Sequence, residues 1–350
     1  MARLSLLLGV LALLGLLGGC LPDETETLGE APPGAVDEGS VDSPVSVALN
    51  SPRRSTVGPG GNVTYTDPGN SFFTFATSQT APHLIEVTSP TTDVSWDLHA
   101  QSNYADSPLG GGACDNDVNG TGVPGPEECI TPILTGSANY YLRVHNYDGT
   151  GTYYTLSIWE PDLFDNFEDG LFTDQWFNPG VTGSGTYIAS VDTIGANGTS
   201  RSLTLTGGDD NTFYNGRRAD LGSGHSTSRI VYYVRSGATT NADGCFAINA
   251  TDGKTAILLC LENDGTFIVF NSDNANNFTT FGSYSANTWY KVEFREINWS
   301  AKTYDLYIDD NLIQSGITFY NTGATNVRYI NLFNYNTGSQ AWWDEIMLFP

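Results

Sequence analysis

Positive charge is scarce in this chain. Lys and Arg total 14 against 39 Asp and Glu, with 4 His, so the formal net charge is -25. Charged residues of both signs make up 15% of the sequence, against about 25% in a typical soluble domain. A nucleic-acid partner is excluded on this balance. Phosphates would be repelled, and there are few Lys or Arg to drive counterion release. Adsorption to anionic lipid is disfavoured for the same reason. Polysaccharide, divalent cations and cationic partners remain compatible. No H-E-x-x-H, C-x-x-C, G-x-S-x-G or phosphate-cradling glycine loop occurs. No stretch has the 3.6-residue period of an amphipathic helix. What fills the gap is 39 Gly and 12% aromatics, together with Ser, Thr and Asn, a composition suited to a β-rich extracytoplasmic protein. The length, 350 residues, suggests about two domains.

The one long apolar run, Leu4 to Leu17, is shorter than the about 20 residues that cross a bilayer. Behind Arg3 it has the proportions of a secretory h-region. It ends in Leu17-Gly18-Gly19-Cys20, which resembles the bacterial lipobox. The resemblance implies a signal peptide over 1–19, lipidation of Cys20 and anchoring in the membrane through that N-terminal lipid. Leu21 rather than Asp after the cysteine implies an outer-membrane lipoprotein of the bacterial cell envelope, surface-exposed in one reading. The stretch 20–45 is acidic and Pro-containing, too poor in apolar surface to fold, and reads as a disordered tether. With Cys20 acylated, Cys114, Cys129, Cys245 and Cys260 remain of the 5 cysteines. An exported compartment permits disulfides, and of the three connectivities the local pairs Cys114–Cys129 and Cys245–Cys260 are the simplest.

Residues 46–160 alternate with period two in several stretches, among them Ser71–Thr77, His83–Thr88, Val94–Ala100, Tyr140–Tyr147 and Tyr153–Trp159, with a hairpin turn at Asp148–Gly151. About seven or eight strands of this kind make a small sandwich. The Phe72–Phe75 and Leu84–Val87 strands, Asp93-Val94-Ser95-Trp96-Asp97-Leu98 and Tyr140–Val144 through Leu156 resemble the bacterial pre-peptidase C-terminal domain. No peptidase domain accompanies them, so the resemblance implies a binding or spacer module. Asp115, Asp117 and Asn119, followed by Gly120, have the D-x-D-x-N-G spacing that opens a calcium loop. The twelfth position is Pro126 rather than Glu, and a polar loop stapled by Cys114–Cys129 is the competing reading.

Residues 162–350 again read as strand after strand, about twelve to fourteen of them, which points to an antiparallel jelly roll. The fold class is therefore all-β, two antiparallel β-sandwiches with the second a jelly roll. A two-residue turn at Asp252-Gly253 would pair residues whose numbers sum to 505, and Cys245 and Cys260 obey that sum. Further hairpins are expected at Asp264-Gly265 and Asp310-Asn311. Asn166–Gly170, Asn287–Val292, Tyr304–Asp310 and Trp343–Ile346 look like the concanavalin A-like lectin/glucanase group, including laminin-G-like modules. That resemblance implies a structural calcium held by Glu168, Asp169 and Asp344. The competing reading is exposed acids at a sheet edge.

For catalysis, Glu262-Asn263-Asp264 is the nearest approach to a glucanase carboxylate motif, but no third acid follows, and Asp264 reads as a turn residue. Two carboxylates about 5–9.5 Å apart are what glycoside hydrolysis needs. Carbohydrate binding fits better, because sugars stack on exposed rings. Trp299, Tyr320, Tyr335 and Trp342 are the candidate rings, each with core packing as its alternative. The expected function is a non-catalytic envelope lipoprotein that binds polysaccharide or another envelope component. A structural or adhesive surface protein and a diverged glycan hydrolase are the alternatives.

Overall fold

A computed structural model describes residues 44–350 apart from 58–68, 90–93, 103, 105–107, 110–112, 115–125, 147–150, 181–185, 210–211 and 273–277. The signal region, Cys20, most of the tether, the Asp115–Asn119 loop and residues 148–150 of the expected turn lie outside the described residues. What is described is all β, with strands and no helix.

The first sandwich has two sheets. β1 (Val45–Ser46), β3 (Asn70–Ala76), β8 (Asn139–Asn146), β5 (Val94–His99) and β6 (Ala113–Cys114) lie side by side in that order. Opposite them run β2 (Arg53–Val57), β9 (Thr152–Trp159), β4 (Leu84–Thr88) and β7 (Pro126–Ile130). Alternation puts Phe73, Phe75, Trp96, Leu142, Tyr154 and Leu156 between the sheets, all essentially buried. The pairing is antiparallel except at β1, which pairs with β3 in parallel, Val45 opposite Phe73.

The second sandwich is larger. Its first sheet runs β12 (Tyr187–Asp192), β13 (Ser202–Gly207), β24 (Gln340–Phe349), β15 (Arg229–Ser236), β20 (Tyr290–Asn298), β21 (Thr303–Ile308) and β22 (Asn311–Thr318), with β10 (Leu163–Asp165) also on β24. Its second runs β11 (Trp176–Phe177), β14 (Gly216–His225), β23 (Val327–Phe333), β16 (Asp243–Asn249), β17 (Thr255–Leu261), β18 (Thr266–Phe270) and β19 (Phe278–Ser283). Strands far apart in sequence meet, β13 on β24 and β14 on β23, which closes the jelly roll. Tyr232, Phe246, Leu259, Phe294, Tyr304 and Trp343 fill the space between the sheets. Tyr232 stacks flat on Phe246 with centroids 4.1 Å apart.

Cys245 and Cys260 form a disulfide with Cα atoms 4.1 Å apart. The sum of 505 holds at Phe246–Leu259, Ala247–Leu258 and Ile248–Ile257. The turn that produces it differs from the expected one. Gly253 donates its N–H to Ala250 at 2.9 Å and takes φ of 83°, so the loop has three residues, with glycine in the left-handed position. Such a loop gives a sum of 504, as at Asn249–Thr255, and a bulge at Ala256 restores 505. The hairpin expected at Asp310-Asn311 turns one residue earlier. Asp309 and Asp310 both have positive φ, and Ile308 pairs with Asn311. Closing a loop with a sequence separation of 15, the Cys245–Cys260 bridge contributes about 3 kcal/mol by restricting the unfolded chain. Cys129 is also disulfide-bonded.

The sandwiches touch through an apolar seam. Leu84, Ile130 and Trp159 of the first pack on Val231, Met347 and Phe349 of the second. On the second sandwich this seam involves residues of β10, β15 and β24 only.

Candidate functional site

In a sandwich one face of each sheet is buried and the other is usually polar. β16 and β17 depart from this: every residue of both strands is buried. Alternation sends Phe246, Ile248, Ile257 and Leu259 into the core and Cys245, Ala247, Leu258 and Cys260 outward. On the outer side they join Ile268, Phe270 and Phe333 in a second apolar cluster, flanked by the half-buried rings of Phe213, Tyr214, Tyr320 and Tyr335. Phe213 lies 5.1 Å from Tyr335 and meets Phe270 edge-on, and Tyr320 meets Phe270 edge-on at 6.0 Å. Phe278, 46% exposed on the edge strand β19, extends the row, with its ring 5.9 Å from that of Phe270. A cavity of about 220 Å³ opens here, lined by Phe213, Cys260, Ile268, Phe270, Phe278 and Tyr335 together with Ala242 and Glu262.

A polar row continues across the same face. Arg218 Nε donates to Asn331 Oδ1 at 2.7 Å, and Asn331 Nδ2 donates to Asn249 Oδ1 at 2.6 Å. Asn249 Nδ2 in turn donates to Thr255 Oγ1 at 2.9 Å, and Thr255 shares a 2.5 Å hydrogen bond with the Tyr214 hydroxyl. Asn331 and Asn249 are buried, so this chain satisfies amides that would otherwise be costly. The sheet from β14 to β19 spans five strand spacings, about 24 Å. Its outer face therefore presents one long surface, polar at β14 and aromatic at β19.

Of the rings picked from sequence, Tyr320 and Tyr335 are brought together here. Trp299 and Trp342 are not. Trp299 donates Nε1 to the Thr227 carbonyl at 2.8 Å and packs on Phe319 at the margin of the core. Trp342 is buried on the other sheet, beneath Arg235, with Nε1 donating to Asp192 at 2.8 Å. Sequence reasoning missed Phe213, Tyr214, Phe270, Phe278 and Arg218. The signal available was the unbroken apolar run of Ala256–Leu261, facing Cys245–Ile248 across the hairpin: strands apolar on both faces need cover on both.

The carboxylates proposed for calcium hold loops. Glu168 accepts from Ser200 N and Oγ and from Arg201 N, each at 2.7 Å. Asp344 accepts from Ala196 N at 2.7 Å and Thr199 Oγ1 at 2.6 Å, and Asp169 from Leu171 N at 2.8 Å. These donors tie each carboxylate to a neighbouring loop. Burial pushes Asp344 up to about 7, against the pull of those donors. Among the described residues no cluster of three His, Cys, Asp or Glu is arranged for a metal. The loop carrying Asp115, Asp117 and Asn119 lies outside them.

Glu262 is the one carboxylate among the described lining residues of the cavity. Asp264 instead accepts from Thr266 N at 3.1 Å, closing its turn. His145 hydrogen-bonds Ser95, but Asp97 is turned to Arg143, whose Nε it accepts at 3.0 Å, and Ser95 is buried. His83 and His99 are fully buried.

No protein-family model and no curated protein matches the chain. Solved structures do. A sialidase aligns at 11% identity and a TM-score of 0.40, covering 57% of this chain, which spans 20% of that protein. The xylan-binding CBM22-1 domain of a Paenibacillus barcinonensis protein aligns at 14% identity and 0.29, over 55% of this chain and 94% of its own. The pre-peptidase C-terminal domain of a Bacillus anthracis collagenase aligns at 18% and 0.25, over 33% and 94%. At these values the likeness is one of fold at most.

Proposed function

We propose that the protein is a non-catalytic, polysaccharide-binding lipoprotein of the bacterial envelope, and that its glycan site is the outer face of the β14–β19 sheet. The observation that carries this reading is the row Phe213, Tyr335, Phe270 and Phe278 around an open cavity on the outer side of the β14–β19 sheet. Apolar C–H faces of sugar rings stack on such aromatics, and the Asn-rich row beside them supplies hydroxyl partners. A lone Glu262 suits binding rather than a two-carboxylate hydrolysis.

The test is a glycan array with the full folded chain. Tyr335→Ala and Phe278→Ala each lower affinity for the bound glycan on the order of 10-fold. Ile188→Ala, an exposed position on the other sheet, leaves it unchanged. Retained binding in the Tyr335→Ala/Phe278→Ala double variant sinks this location, and a blank array moves the adhesive reading ahead. The anchor rests on Leu17–Cys20. Cys20→Ala is expected to release the protein from the membrane fraction, and membrane retention of that variant removes the lipid from the proposal.

A further inference from the structure

The polar end of this face carries one cation, Arg218, that is fixed in place without a close carboxylate among the described residues. Arg229, Lys254, Lys291, Arg295 and Arg328 each lie within 4.0 Å of a carboxylate. Arg218 is in no such pair, and its Nη nitrogens make no hydrogen bond among the described residues. It is nevertheless held firmly. Its Nε is fixed by Asn331 at 2.7 Å, and its guanidinium lies 4.9 Å over the Tyr329 ring. Arg328 stacks on the same ring at 4.7 Å, and that guanidinium is taken up by Asp220, at 3.1 and 3.3 Å. Asp220 is thereby spent on Arg328 and on the Gly222 N–H at 2.9 Å.

Fixing a long surface side chain costs rotamer entropy. Here four hydrogen bonds running from Arg218 to Tyr214 hold it in place, with buried amides in the middle of the chain. The result is a guanidinium whose Nε is engaged and whose Nη nitrogens make no hydrogen bond among the described residues, on the sheet that also carries the aromatic row. Asp220 attracts the Arg218 charge from beyond 4.0 Å but gives it no hydrogen bond, so the fixed guanidinium keeps donors with which to receive an anionic group. A planar fork matches a carboxylate in two parallel hydrogen bonds, and its prior fixation lowers the entropy lost on binding.

We infer that the face selects glycans bearing a uronic-acid carboxylate, which Arg218 holds at the β14 end while uncharged sugar rings lie along the aromatic end. This rests on the glycan reading of the face and adds the class of sugar.

The probes are an oligogalacturonate and the same oligomer after reduction of its carboxyl groups, measured by calorimetry on the full chain. The wild type is expected to bind the acidic form about 10-fold or more tighter than the reduced one, as a charge-assisted pair predicts. Arg218→Gln abolishes that preference and leaves affinity for the reduced form unchanged. Arg218→Lys, which keeps the charge without the fork, restores only part of it. Tyr335→Ala weakens both forms alike. Equal wild-type affinity for the two forms, or a preference that survives Arg218→Gln in a variant with wild-type melting behaviour, overturns the inference and leaves glycan binding by the face standing. Binding of neither probe also overturns it, and the glycan reading then rests on the array alone.

Discussion

Replacing Glu293 by Gln is expected to cost about 3–5 kcal/mol of folding free energy, a fall in the melting midpoint on the order of 10 °C. Glu293 is fully buried on the sheet face beside the seam between the sandwiches, and it carries three cations. Arg229 reaches it at 2.6 Å, Lys291 at 2.7 Å and Arg295 at 2.9 Å. Arg229 also pairs with Glu128 of the first sandwich, so the network crosses from one module to the other. Burial alone would raise the Glu293 carboxyl, but the Arg229 charge, the Arg295 hydrogen bond and Lys291 overcome it and hold it well below the usual carboxylate range. A carboxyl depressed in the fold stabilises at every pH above its unfolded value, and that stabilisation is lost only as the pH falls through the folded one. The cost of Glu293→Gln is therefore the same at pH 5 and pH 8. A surface pair gives the comparison. Lys254→Ala, whose partner Asp252 is about as exposed as the lysine itself (45% against 44%), leaves the melting midpoint nearly unchanged. Thermal melts of both variants decide the matter: a Glu293→Gln midpoint no lower than that of Lys254→Ala contradicts the account.

Period two made the architecture legible. Stretches such as Arg229–Arg235 and Trp289–Arg295 declare one buried face, and the cysteine positions fixed the β16–β17 register even though the turn chemistry behind it was misassigned. Alternation says nothing, however, about which strands become neighbours. The row from Arg218 through Asn331, Asn249 and Thr255 to Tyr214 joins β14 and the residues before it, the β16–β17 hairpin and β23, three stretches distant in sequence, so no local pattern announces it. Trp299 lies apart from the other rings for a related reason. Its short connection suggested exposure, while the Thr227 carbonyl and the Phe319 ring that claim it come from other parts of the chain. The buried Glu293 was equally silent, because in Tyr290–Arg295 it sits where an outward-facing charge belongs. Its cover comes from Arg229, Lys291 and Arg295, and Arg229 is in turn held by Glu128 of the first sandwich.

The second sandwich also buries acids that resist ionisation, and its stability is expected to fall as the pH rises. Asp243 is fully buried, accepts from Ser236 Oγ at 3.0 Å, and leaves Oδ1 without a hydrogen-bond partner. Burial raises it to about 8, outweighing the Ser236 hydroxyl and the Gln340 N–H. Burial likewise takes Asp344 to about 7 and Asp165 to about 6. In the unfolded chain all three titrate near an ordinary aspartate value, about 4. Between that value and its folded one, each acid keeps a proton in the fold that the unfolded chain has lost. The contribution is complete below about pH 4, declines by roughly 1 kcal/mol per pH unit for each acid still protonated in the fold, and is gone above about pH 8. The net charge of -25 pushes in the same direction through self-repulsion, so a falling midpoint alone proves little. Asp243→Asn separates the two: it removes one titration and barely alters the overall charge. The melting midpoint of the wild type should drop between pH 6.5 and pH 8.5, a window chosen to avoid His83, whose burial lowers its pKa and destabilises the first sandwich on the acid side. In the same window the Asp243→Asn midpoint should be markedly flatter, and at pH 8.5 it should lie above the wild type. An Asp243→Asn curve parallel to the wild type would show that Asp243 is ionised in the fold with a cation or water beside it, and the buried-acid account would fail.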